Sequence, residues 1–138
     1  MKVLGLDLGT RTLGIAISDA HHMLARGLET FRFEADRYDY AVGRVLYWLA
    51  KEPVETIVLG YPKNMDGSEG SQSIISKDFK VLLAAQTDVP VVLWDERLSS
   101  KMAQSTMIHS KMNRKKRKSR IDEAAAVVIL QSYLDAKS

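Results

Sequence analysis

The 138-residue chain predicts an α/β fold: a five-stranded mixed sheet in which three antiparallel strands open and parallel strands follow, with helices on both faces. Three observations lead there. Two short β-type runs flank Gly9-Thr10-Arg11-Thr12, and small or turn-prone residues between such runs signal a hairpin. Residues 56–59 (TIVL) and 90–94 (PVVLW) are continuous apolar runs, the pattern of strands covered on both faces and usually parallel to their neighbours. Between and after them, apolar residues recur at helical spacing.

Along the first strand side chains alternate, so Leu4, Leu6 and Leu8 share one face while Val3, Gly5 and Asp7 share the other. Residues 23–33 suggest a third strand interrupted at Gly27. Asp36 then caps a helix carrying Tyr38, Ala41, Val42, Val45, Leu46 and Leu49, with Pro53 on its far side. After the strand at 56–59 comes a loop, residues 60–70 (GYPKNMDGSEG), at the carboxyl end of a central strand, where α/β sheets place ligand-binding loops. Ile74, Ile75, Phe79, Leu82 and Leu83 mark the next helix, and Leu98, Met102 and Thr106 give a modest helical signal after the last strand. A closing helix carries Ile121, Ala124, Ala125, Val128 and Leu134. No repeat, low-complexity tract or linker interrupts the chain, so residues 1–138 are expected to form a single domain.

Hydrophobic residues make up 46% of the chain and charged residues 27%, which excludes disordered and fibrous classes. There is no cysteine, hence no disulfide framework and no thiolate metal site. No signal-peptide or membrane-spanning run is evident, and the cytoplasm is the expected compartment. The net charge of +3 is unevenly spread. Residues 111–120 (KMNRKKRKSR) hold seven basic residues and no acidic one, so the remainder of the chain is net negative at −4. Lys111, Arg114, Lys115, Lys116, Arg117, Lys118 and Arg120 are therefore expected to form a basic loop that meets a phosphate backbone.

Three carboxylates complete the pattern: Asp7 late in the first strand, Glu96 just past the last, and Asp122 at the head of the closing helix. Each has an ordinary structural role open to it. Asp7 can bond turn amides, Glu96 can pair with Arg97 or cap a helix, and Asp122 can cap its own helix. If the first and last strands run side by side near the sheet centre, Asp7 and Glu96 converge. Clustered carboxylates stay ionised only beside cations, and an all-oxygen donor set suits Mg²⁺ or Mn²⁺. Such ions activate water and stabilise the leaving oxygen of a phosphodiester. The histidines do not suggest a nucleophile relay: His21 and His22 belong to an exposed turn, and His109 to a helix end. Trp94 and Tyr61 favour packing over base stacking.

Four segments resemble the YqgF family, also called RuvX-like, of the ribonuclease H-like superfamily: GLDLGTRTLGIAISD from Gly5, VLGYPKNMDGSEG from Val58, DERLSS from Asp95, and RIDEAAAVVILQSYL from Arg120 with the basic residues before it. Ser100 stands where the family often shows Thr. The resemblance implies a ribonuclease H-like fold and a metal-dependent nuclease acting on structured nucleic acid. RNA is favoured over DNA, through maturation of the 5′ end of pre-16S ribosomal RNA and contact with pre-ribosomal particles; resolution of Holliday junctions is the alternative. It further implies that Asp7, Glu96 and Asp122 are the catalytic, metal-holding residues and that Arg11 joins the basic segment in nucleic-acid binding. A non-catalytic RNA-binding assembly factor is the rival of another class. An ATP-binding phosphotransferase is a third, although those proteins place two such domains around one nucleotide.

Overall fold

The computed structural model describes residues 1–63, 66–95 and 114–137, without the side chains of residues 114–124. Strands β1 (Lys2–Leu8), β2 (Thr12–Ser18), β3 (Ala25–Arg32), β4 (Val54–Tyr61) and β5 (Val91–Asp95) form one sheet in the order β3-β2-β1-β4-β5. β1/β2 and β2/β3 are antiparallel, while β1/β4 and β4/β5 are parallel, as expected. The β1–β2 turn closes through the Gly9 amide donating to the Thr12 carbonyl at 2.8 Å. Between β2 and β3, Asp19 accepts hydrogen bonds from the amides of Met23 (2.7 Å) and Leu24 (3.0 Å). Those amides, Leu24 first, hold its carboxyl below the usual range. Register slips where Gly27 pairs with Ala16 and Glu29 with Ile15, so Leu28 is an inserted residue and the expected interruption is a β-bulge.

The alternation in β1 sorts the molecule into two layers. Leu4, Leu6 and Leu8 join Leu13, Ile15, Ile17, Ile57 and Leu59 in a core covered by α1 (Tyr38–Lys51) and α2 (Ser71–Ala84). On the opposite face Val3, Ala16 and Val58 meet Ala126, Ile129, Leu130 and Leu134 of α3 (Arg114–Lys137). Gly5 is what lets α3 lie so close. A Cβ at that position would stand 2.7 Å from the Leu130 Cβ and 3.3 Å from the Ala126 carbonyl oxygen, so helix packing requires the glycine.

Four expectations are corrected. Asp36 does not cap α1: it adopts a left-handed conformation (φ 67°), open to Asp at modest cost, and Arg37 takes the cap position with its guanidinium turned to Asp39. β4 runs through Gly60 to Tyr61, so the following loop starts only at Pro62. β1 and β5 do not adjoin, because β4 pairs with both of them. Arg114 to Arg120 are helical rather than a loop, since Lys and Arg are good helix formers and no Gly or Pro interrupts them; Asp122 therefore sits inside α3. The helix expected over residues 98–109 lies outside the described residues, as do Glu96, Lys111 and His109.

Candidate nuclease site

Asp7 is the best-placed of the expected site residues. It lies one residue from the end of the central strand, half-buried, on the α3 face with Val3 and Gly5. Its cross-strand partner is Gly14, which brings no side chain alongside. The end of β1 is held from the other layer as well. Gln72, in the first turn of α2, donates from Nε2 to the Leu8 carbonyl at 3.0 Å. No sequence signal marks Gln72, because its partner lies 64 residues away.

Arg11 is exposed in the β1–β2 turn at this same end of the sheet. It lines an open groove of about 520 Å³ with Arg32, Phe33, Glu34 and Ala35. β5 ends here too, at Asp95, two strand spacings or about 10 Å across from β1; Glu96, next in the sequence, lies outside the described residues. Arg114, Lys115, Lys116, Arg117, Lys118 and Arg120 occupy the first two turns of α3, and Asp122 the next. The structure therefore places Asp7 and Arg11 together at one end of the sheet; the side chains of Glu96, Asp122 and the basic segment are outside its description.

The loop after β4 is built against the same end. Lys63 and Glu69 form an antiparallel bridge, the Asp66 carboxylate accepts from the Ser68 amide (2.9 Å) and hydroxyl (2.6 Å), and the buried Ser73 hydroxyl donates to the Pro62 carbonyl. Glu69 accepts from Lys77 Nζ at 2.7 Å. Lys77, then Tyr61, holds its carboxyl below the usual value, and the Glu69 carboxylate in turn raises the Tyr61 phenol. Tyr61 is thus a buried anchor of this loop. Trp94 is likewise a packing residue: its Nε1 donates to Ser132 Oγ at 3.1 Å, and its ring meets Tyr133 edge-on at 5.4 Å. His22, expected to be solvated, keeps a partly exposed side chain and lies 2.8 Å from Glu55 at the far end of the sheet.

A sheet of this order, with a carboxylate at the end of its central strand and a long helix across that face, is the frame of the ribonuclease H-like nucleases. The fold is similar to that of RuvC from T. thermophilus, solved in complex with a Holliday junction substrate: TM-score 0.68 at 17% identity, over 99% of this chain and 95% of that one. It is similar also to a fowlpox virus Holliday junction resolvase, TM-score 0.60 at 15% identity, over all of both chains. The model of the RuvX family, described as Holliday junction resolvase, matches residues 1–136. Relatives from Geobacillus sp. (strain WCH70) and Bacillus subtilis (strain 168), each named "Putative pre-16S rRNA nuclease", are 49% and 45% identical, with 99% of both chains covered in each case. The chain belongs to the RuvX family, and its class is that of a nuclease, a hydrolase acting on phosphodiester bonds. Divalent metal use is general in nucleases of this fold.

Proposed function

We propose that the protein is a divalent-metal-dependent nuclease of structured RNA that matures the 5′ end of pre-16S ribosomal RNA in the cytoplasm, and that residues 1–138 act as one domain. The names of its relatives support the substrate. One observation carries the site: α3 crosses β1 with Leu130 over Gly5, while Leu134 shares a cluster and a pocket lining with Val3, so the turns before Leu130 run toward Asp7. Asp122 lies four and eight residues before Ala126 and Leu130, on the same helical row. Helix rise and strand rise bring that position to within about one turn, roughly 5 Å, of the level of Asp7.

The donors fit Mg²⁺ or Mn²⁺, being carboxylate oxygens in a chain without cysteine. Asp7, Glu96 and Asp122 would hold the ions, which supply water activation and stabilisation of the leaving oxygen. Arg11 and the basic residues Lys111 to Arg120 hold flanking phosphates and so fix the scissile bond over the carboxylates. The loop at residues 62–70, braced by Glu69 and Lys77, borders the entrance. Attack of water on phosphorus with the 3′ oxygen as the leaving group, protonated on departure, leaves the 5′-phosphate and 3′-hydroxyl ends expected of this superfamily.

A second reading, cleavage of four-way DNA junctions, is favoured by the family description and the likeness to RuvC. A matched panel separates them: precursor 16S RNA, an unstructured RNA and a four-way DNA junction, each with Mg²⁺, Mn²⁺ or EDTA. Metal-dependent cutting of the precursor supports the RNA assignment. Cutting confined to the junction replaces it with the second reading, and salt-sensitive RNA binding without cleavage under any condition leaves a non-catalytic assembly factor.

A further inference from the structure

Arg32 ends β3, and strand register determines its face. Phe31 pairs with Leu13 and packs on the α1/α2 core, whereas Arg32 pairs with Thr12. Alternation puts Arg32 on the other face, the one Asp7 occupies. Asp7 pairs with Gly14 and Gly14 with Thr30, so a cross-strand row runs from Asp7 to β3, and Arg32 follows two residues beyond it. Two strand spacings and one pleat separate the two Cα atoms by about 12 Å.

The neighbouring turn is tied to this strand end. The Phe33 amide donates to the Arg11 carbonyl at 3.0 Å, and the Phe33 ring is held between Phe31 (6.3 Å) and Tyr38 (5.8 Å). Arg11 and Arg32 are exposed and both line the groove of about 520 Å³, as does Glu34. Among the described residues neither guanidinium takes part in an ion pair, whereas Arg37 is paired with Asp39 and Arg44 with Glu29. Two guanidinium groups lining one groove, without an ion-pair partner among the described residues, repel each other until an anion lies between them, and planar guanidinium suits phosphate.

We propose that Arg32, together with Arg11, forms a second phosphate seat on the β3 side of the sheet, gripping the backbone of the bound strand a few nucleotides from the phosphate at Asp7. The seat rests on the nuclease site proposed above and adds a residue to its substrate path. It reads backbone, not bases.

The test compares wild type, Arg32→Gln, Arg32→Lys and, as a charge-matched control, Arg26→Gln at the opposite end of β3. Binding of a labelled single-stranded RNA and a labelled four-way DNA junction is measured across a salt series, with cleavage followed in parallel. Loss of one phosphate contact lowers the slope of log K against log salt by about 0.7 on the single strand or 0.9 on the duplex arms. Arg32→Gln shows that loss with several-fold weaker binding, Arg32→Lys retains the slope, and Arg26→Gln matches wild type. Loss on one probe only identifies the strand that the seat takes. An unchanged slope for Arg32→Gln on both probes, or an equal loss for Arg26→Gln, overturns the seat. A wild type that binds but never cleaves overturns the nuclease reading while leaving the binding result to stand by itself.

Discussion

The two faces of the sheet do different work with the same strands. On the α1/α2 face, β1 contributes Leu4, Leu6 and Leu8 to a thick apolar core with Phe79 and Leu83. On the α3 face the same strand contributes Val3, Gly5 and Asp7, and β2 contributes Gly14 and Ala16. Small residues there let a helix approach closely and leave a carboxylate at the strand end. In the proposed site, strand alternation separates the apolar core from the candidate catalytic carboxylate within seven consecutive residues.

The separation can be broken from either side. Leu6→Ala removes a fully buried side chain from the thick face and is expected to cost about 2 to 5 kcal/mol in chemical denaturation. Cleavage per folded molecule should stay near wild type. Gly5→Ala acts on the thin face: its Cβ would overlap Leu130, and overpacking of this kind costs about 1 to 3 kcal/mol. Because α3 must shift, cleavage should fall even at temperatures where the variant is folded; a folded variant with full activity would show that α3 does not need its seat.

A smaller effect sharpens the boundary of the thick face. Glu29 bonds the Arg44 guanidinium and accepts from Trp48 Nε1 at 2.8 Å, and Arg44 foremost holds its carboxyl below the ordinary value. A depressed carboxyl contributes stability above its unfolded pKa of 4.5 and loses it as pH falls through the folded value. Glu29→Gln is expected to cost about 1 kcal/mol at neutral pH, with the difference from wild type shrinking below pH 4.5 in acid denaturation curves. The exposed His22–Glu55 pair is worth least. His22→Gln should change stability by less than about 1 kcal/mol, and added salt should erase the difference.

Strand types, pairing sense and the two-faced pattern of β1 were legible because alternation and apolar runs are local properties. Gly5 was visible but ambiguous in sequence, since a bound phosphate and a packed helix both exclude a side chain; only the position of Leu130 separates them. The basic segment was misread as a loop because charge density says nothing against a helix made of Lys and Arg. The place of β4 between β1 and β5 depends on chain crossing, not on composition. Gln72 and Arg32 were invisible for a related reason: one acts through a tertiary contact with Leu8, the other through a register set by the bulge at Leu28. Of the expected site residues, Asp7 was singled out by residue type and position and Arg11 by the family resemblance, and both stand at the same end of the sheet.

The central claim is that Asp7 serves chemistry and not the fold. Asp7→Asn keeps size while removing the charge and exchanging one acceptor oxygen for an amide donor, so cleavage of precursor 16S RNA in Mn²⁺ and thermal melting without metal should be measured on the same preparation. We expect cleavage reduced by at least about 100-fold, equivalent to some 2.7 kcal/mol of barrier, with a melting temperature no lower than wild type. Full cleavage with an intact fold would contradict the assignment, as would loss of cleavage that merely tracks loss of the folded state.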